Sequence, residues 1–289
     1  MNEMQAKKST LNWKVLVSKR NSATRDLPAG NESLMWVANT VTLIYGEQDA
    51  VLVDTFLTIE QNQNLIDWIA ESGKNLTTIY ITHGHGDHFF GINMILDRFP
   101  QAKAIATPDA VKAMREQIAP EYVESFWNKL FPGQVPTSLI TAEEIEEDEF
   151  YLEGNKLVVV NTGYTDTSNT TALHVPSINL VVGGDAVYND IHLYMAETNK
   201  QTRLEWITVL DKLEALNPLT VVAGHKKPEN DDNPKIITET RNYIQDFNKL
   251  EEITASSQEL YAKMLELYPN RANPGSLWGS AKAAKAKWE

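Results

Sequence analysis

Three of the chain's six histidines fall within six residues, in the stretch THGHGDH from Thr82 to His88. Neutral imidazole offers a lone pair near pH 7, which makes histidine the commonest metal ligand. His83, His85, Asp87 and His88 therefore form a candidate ligand cluster. Gly84 and Gly86 separate them and let the loop bend tightly with no Cβ in the way. A purely structural reading makes Asp87 the cap of the next helix. It explains one aspartate and leaves three histidines unexplained.

The neighbouring elements must hold this loop. LTTIYIT is a short apolar strand running straight into it, and FFGINMILDRFP follows as a helix ending at Pro100. Upstream, LMWVANTVTLIYG and DAVLVDT are β-rich runs joined by a hairpin turn at Gly46, Glu47 and Gln48. IEQNQNLIDWIAESG is an amphipathic helix stopped by Gly73. The second half repeats the order, with strands KLVVVNT, TTALHVP and INLVVGGD, a helix RLEWITVLDKLEAL, and a buried-type strand LTVVAGH. Hairpins mixed with strand–helix alternation imply two mixed sheets with helices outside. The chain reads as a single domain over residues 1–289, with a helical, aromatic-rich insertion near 108–150 and C-terminal helices near 234–289. The tail SAKAAKAKWE reads as a basic, partly frayed helix.

H-x-H-x-D-H after an apolar strand resembles the signature of the metallo-β-lactamase fold superfamily, carried here by His83, His85, Asp87 and His88. The resemblance covers about residues 13–230. It implies an α/β fold, a four-layer αββα sandwich of two mixed sheets with outer helices, around a dinuclear centre. It also implies a bridging aspartate after a strand, for which LVVGGDAVY offers Asp185, and a last histidine after a late strand, for which TVVAGHKKP offers His225. Without the resemblance, Asp185 could simply shape a turn and His225 cap a strand. The likeness is to the broad hydrolase branch with glyoxalase II-like thioesterases and lactonases. True β-lactamases of the main zinc type usually lack the second residue of the D-H pair and often use a cysteine, which this chain does not contain.

One departure stands out. The superfamily expects a third histidine in a G-H-T segment, and NTGYTDTSNTT puts Tyr164 there. Either a metal lowers the phenol's pKa and binds it, or Tyr164 stands outside the ligand shell and the first site is weakened. His174, in TTALHVP, reads as a packed strand residue. His192, in YNDIHLYM, sits on a loop expected near the mouth of the site, where substrate contact or proton transfer competes with a structural role.

The resemblance implies zinc, two ions per chain with the first held more weakly, iron or manganese being alternatives. Asp87 would orient the metal-activated water and take its proton. The expected substrate is a small carbonyl compound: a lactone, ester, thioester or β-lactam-like amide. Tyr122, Phe126, Trp127 and Phe131 are either an apolar wall for such a molecule or plain core. The competing functions are a mononuclear iron oxidoreductase of the same fold and a catalytically impaired relic. Asp87, His88, Asp185 and His225, intact together, argue against the relic.

Composition bounds the rest. The net charge is −13, which repels phosphate backbones and makes nucleic acid a poor partner. The acidic run AEEIEEDE reads as a solvated segment. No run of about 18 apolar residues suggests a membrane span, and the N-terminal stretch lacks the apolar core of a signal peptide. With no cysteine, the expectation is a cytoplasmic protein without disulfides, compatible with an oligomer.

Overall fold

A computed structural model of the chain describes residues 10–24 and 26–286. Where the sequence reads as one domain, contacts divide the chain into two compact units, each assembled from separate stretches. The first holds residues 1–16, 41–160 and 172–182; the second holds 17–40, 161–171 and 183–289.

The first unit contains mixed sheets with helices against them. Strands β1 (Asn12–Asn21), β2 (Trp36–Tyr45), β3 (Asp49–Val53), β4 (Asn75–Tyr80), β5 (Lys103–Ala106) and β6 (Glu143–Glu144) lie in that order in one sheet. β2 and β3 form the expected antiparallel hairpin, with Tyr45 opposite Ala50. Glu153 ties its turn, accepting from the backbone N–H groups of Glu47, Gln48 and Asp49 at 2.8, 2.7 and 2.7 Å. β3, β4 and β5 are parallel neighbours, and Ala50 to Val53 are wholly buried, as strands covered on both faces should be. The crossover helix Ile59–Ala70 starts on a capping box between Thr58 and Gln61. Four further strands, β7 (Glu149–Leu152), β8 (Asn155–Gly163), β9 (Thr170–Val175) and β10 (Leu180–Val182), are neighbours in a second sheet.

In the second unit, β11 (Tyr188–Asn189), β12 (Thr220–Val222) and β13 (His225–Lys226) are accompanied by helices Lys200–Ala215, Lys235–Ile253, Ser257–Leu267 and Pro274–Lys285. β11 and β13 pair in parallel, with Tyr188 opposite His225. Trp206 and Phe247 are fully buried between these helices, and Trp206 Nε1 donates to the Ala186 carbonyl at 2.8 Å.

Three sequence expectations change. The helix expected after the histidine loop is two short helices, Gly86–Phe89 and Ile92–Arg98. The break comes at Gly91, where a Cβ would lie 2.0 Å from the buried Asn62 side chain. In the 108–150 insertion, helical structure ends at Leu130, and Glu143–Glu144 and Glu149–Leu152 are strands. As far as Lys285 the basic tail belongs to a docked helix. Lys285 is buried and donates to the carbonyls of Glu251 (2.5 Å) and Thr254 (2.6 Å), closing the end of helix Lys235–Ile253. Residues 287–289 of that tail lie outside the described residues. Among the described residues no helix is long and apolar enough to cross a membrane.

Candidate metal centre

The histidine loop leaves β4 one strand away from the end of β3, and a residue at that end organises it. Asp54 follows Val53 with a left-handed backbone, φ 62°, and its carboxylate is buried. One oxygen accepts from the Thr82 backbone N–H at 2.8 Å. The other accepts from Thr82 Oγ1 at 2.8 Å and from His88 Nδ1 at 3.0 Å. Thr82 Oγ1 has then given away its proton, so at 3.1 Å from His83 Nδ1 it accepts. One aspartate thereby orients two imidazoles alike, with Nδ1 of each turned toward Asp54 or Thr82 and Nε2 on the other side of the ring. His83 Nε2 lies 3.2 Å from His85 Nδ1. Asp87 is in the first turn of the short helix, but the residue at the cap position is His85. The sequence reading missed Asp54. Its signal was an acid closing the otherwise apolar run VLV beside the strand that feeds the loop.

The loop glycines serve close approach rather than an unusual backbone, since neither has positive φ. A Cβ on Gly84 would stand 2.4 Å from Ala113 Cβ, and one on Gly86 would stand 2.6 Å from the Phe90 ring and 2.9 Å from Trp127. The segment 108–131 thus lies directly on the loop backbone.

The second unit supplies a matching arrangement. His225 Nδ1 lies 2.9 Å from the Ala38 carbonyl, which can only accept, so this ring too keeps its proton on Nδ1. His225 Nε2 faces Asp185 Oδ2 at 3.0 Å, which brings an imidazole nitrogen and a carboxylate oxygen together as candidate donors to a cation. Tyr188 holds the same carboxylate oxygen with its hydroxyl at 2.9 Å and stacks on the His225 ring. Gly224 has no room for a side chain, because a Cβ would fall 2.2 Å from Asp185 Oδ1. His83, His85, Asp87, His88, Asp185 and His225 are all among the described residues that could hold a metal ion.

Tyr164 donates its hydroxyl to the Glu197 carbonyl at 2.7 Å. Burial, with Glu197 and Asp166 nearby, pushes its pKa up, so the phenol keeps its proton. Two residues on, Asp166 is fully buried and accepts from Thr165 Oγ1 at 2.9 Å; the sequence reading passed over it. His192 does not stand on an open loop. It is fully buried, with Nδ1 2.9 Å from the Tyr243 hydroxyl and no hydrogen-bond partner at Nε2. Burial, then the positive charges of Arg271 and Lys227, hold its pKa well below the usual value, so the ring is neutral. His174 is a half-buried strand residue opposite Val181. The aromatic run divides: Trp127 and Phe131 are buried, Tyr122 and Phe126 exposed.

The family model "Metallo-beta-lactamase superfamily" matches residues 34–225. A hydroxyacylglutathione hydrolase of Actinobacillus pleuropneumoniae serotype 5b (strain L20) is 26% identical over 95 residues, which is 33% of this chain. That match spans only 36% of the relative's length. Among solved structures, a metallo-beta-lactamase family protein from Thermus thermophilus is similar with a TM-score of 0.64 at 20% identity, covering 93% of this chain and 91% of the other. A metallo-beta-lactamase from Pontibacter korlensis gives 0.58 at 17% identity, covering 81% and 100%. The family model spans both the histidine loop and His225, and the solved structures share the fold around them, so the chain belongs to the metallo-beta-lactamase superfamily.

Proposed function

We propose that this chain is a metal-dependent hydrolase of a carbonyl substrate, with His83, His85, Asp87, His88, Asp185 and His225 as metal ligands. Membership of the superfamily supports a metal-dependent hydrolase in general. The observation that carries the ligand set is the shared ring orientation of His83, His88 and His225. Each sets Nδ1 against a fixed acceptor, Thr82, Asp54 or the Ala38 carbonyl, which turns Nε2 to the other side of the ring, where a cation would be held. A proton-transfer histidine needs to change protonation state; these are built to stay in one.

The donors are nitrogen and oxygen only, which suits zinc and leaves iron or manganese as alternatives. When bound, a divalent pair lowers the pKa of water and polarises a carbonyl oxygen. Asp87, in the first turn of the short helix that follows the loop, would orient that water and accept its proton. Tyr164 we leave outside the ligand set, because its proton and hydroxyl are committed to Glu197. From the same segment Asp166 is the better donor. It is buried, it is held by Thr165, and it is among the residues that could hold a metal. His192 we assign to packing rather than catalysis, since it is sealed from solvent. The substrate is a lactone, ester, thioester or β-lactam-like amide, and the named activity of the partly matched relative supports the thioester end of that range. We place the protein in the cytoplasm, a reading the absence of cysteine supports.

The test is metal analysis of protein purified without chelators, combined with a hydrolysis screen over lactones, thioesters, phosphodiesters and β-lactams. Two equivalents of zinc and turnover on a carbonyl substrate are expected. One equivalent of iron without hydrolysis would move the chain to oxidation chemistry. No bound metal would make it a relic.

A further inference from the structure

We propose that Tyr122 and Phe126 form a flat apolar platform beside the histidine loop that takes the uncharged hydrocarbon arm of the substrate. The two rings stack with centroids 5.2 Å apart and planes 21° apart, and they are 37% and 39% exposed. Aromatic rings at this spacing on a helix usually close into a core, as their neighbours Trp127 and Phe131 do. These two instead turn a stacked face to solvent. Phe126 is carried on a π-helical turn, Val123–Trp127, a form that recurs at functional sites, and Tyr122 immediately precedes that turn.

The platform is fixed to the loop by contact. Phe126 meets Trp127 edge-on at 5.0 Å, and Trp127 lies against Gly86, between His85 and Asp87, so closely that a Cβ there would be 2.9 Å from the ring. Trp127 is held in turn by Phe90 at 5.3 Å and by its own Nε1 donating to Gln117 at 3.1 Å. An arm lying on Tyr122 and Phe126 is therefore one indole away from the ligand loop. Two rings are far too little surface for a stable protein interface. Glu121 and Glu124 are exposed next in sequence to the two rings and outnumber Lys129, so an uncharged arm fits and an anionic one does not. The substrate class is then a neutral ester, lactone or thioester with an apolar acyl or aryl group, in contrast to a carboxylate-bearing one.

This rests on the hydrolase reading, and its test separates the two. Zinc-loaded wild type and Tyr122→Ser/Phe126→Ser are compared on p-nitrophenyl esters from acetyl to decanoyl, and on a decanoyl-length ester ending in a carboxylate. Both side chains are exposed, so the variant keeps its fold and metal content, checked by circular dichroism and metal analysis. In parallel, decanamide is titrated against metal-stripped protein by tryptophan fluorescence. In wild type kcat/KM should rise about twofold per methylene, half the free energy of full burial, because a flat face covers one side of the chain. In the variant the rise should flatten, and decanamide should bind about tenfold more weakly. The carboxylate-ended ester should lose the gain in wild type. A variant that keeps the wild-type chain-length profile and decanamide affinity overturns the platform. If neither protein hydrolyses any ester, the hydrolase reading falls. The decanamide titration then still decides, equal affinity in both proteins overturning the platform and weaker binding in the variant supporting it.

Discussion

At the residue scale, Asp54 carries more of the candidate site than any residue except the proposed ligands. Its carboxylate receives Thr82 twice and His88 once, and through Thr82 it fixes His83. Asp54→Asn keeps a side chain that tolerates the left-handed backbone. It puts an amide where two protons must be accepted by one oxygen. Competitive chelator titration should show metal affinity weaker by about 10–100-fold. Unchanged affinity would mean the imidazoles are set by something other than this carboxylate. His192 offers a test of a different kind. Its folded pKa is well below the ordinary value of about 6.5, so the native ring stays neutral where the unfolded one takes up a proton. That stability is present above about pH 6.5 and drains away as pH falls below it, at about 1.4 kcal/mol per unit, until the folded pKa is reached. His192→Gln should lower the melting temperature at pH 8 and flatten its fall between pH 6.5 and 5, with metal content unchanged. If turnover collapses at constant metal content and stability, the ring belongs to the chemistry after all.

At the scale of elements, the decisive contact is the one between the ligand loop and helix Pro108–Gln117. Gly84→Ala would press its new methyl onto Ala113 Cβ from 2.4 Å, with the Met114 backbone N–H at 3.0 Å. Overpacking of this kind costs about 1–3 kcal/mol, and here it would move the backbone that aims His83 and His85. The variant should melt lower and hold less metal. Gly84→Ala/Ala113→Gly should recover most of both, because the second change removes the atom that is struck. Failure of that rescue would locate the strain elsewhere. The same contacts show what was legible in the sequence. The β2–β3 hairpin, the helix with its stop at Gly73 and the strand feeding the histidine loop could be read, because turn chemistry and apolar periodicity are local. The break at Gly91, the docking of Lys285 and the reach of Asp54 could not. Each is set by a partner distant in sequence: Asn62 against Gly91, the Glu251 and Thr254 carbonyls on Lys285, and Thr82 with His88 on Asp54. Of the candidate site, the donor types were legible from spacing, whereas the ring orientations set by Thr82, Asp54 and the Ala38 carbonyl needed partners that the spacing does not show.

For the whole molecule, the net charge of −13 is the first control on partners. Binding to duplex DNA or RNA at physiological salt should be undetectable in the micromolar range by fluorescence anisotropy, and tight salt-sensitive binding would revive a nuclease role. Metal that binds only the folded chain adds RT ln(1 + [M]/Kd), which is about 2.7 kcal/mol at a hundredfold excess over Kd. For a chain of this size that corresponds to a rise of roughly 5 °C in melting temperature. Zinc should therefore raise the midpoint of the whole chain, and a chelator should lower it in two stages as the weaker equivalent leaves first. Asp166→Ala should remove the early stage and leave the late one, whereas Tyr164→Phe should leave both in place. If Tyr164→Phe removes the early stage and Asp166→Ala does not, the phenol is the ligand. The hydrogen bond from Tyr164 to Glu197 would then have to break as metal binds.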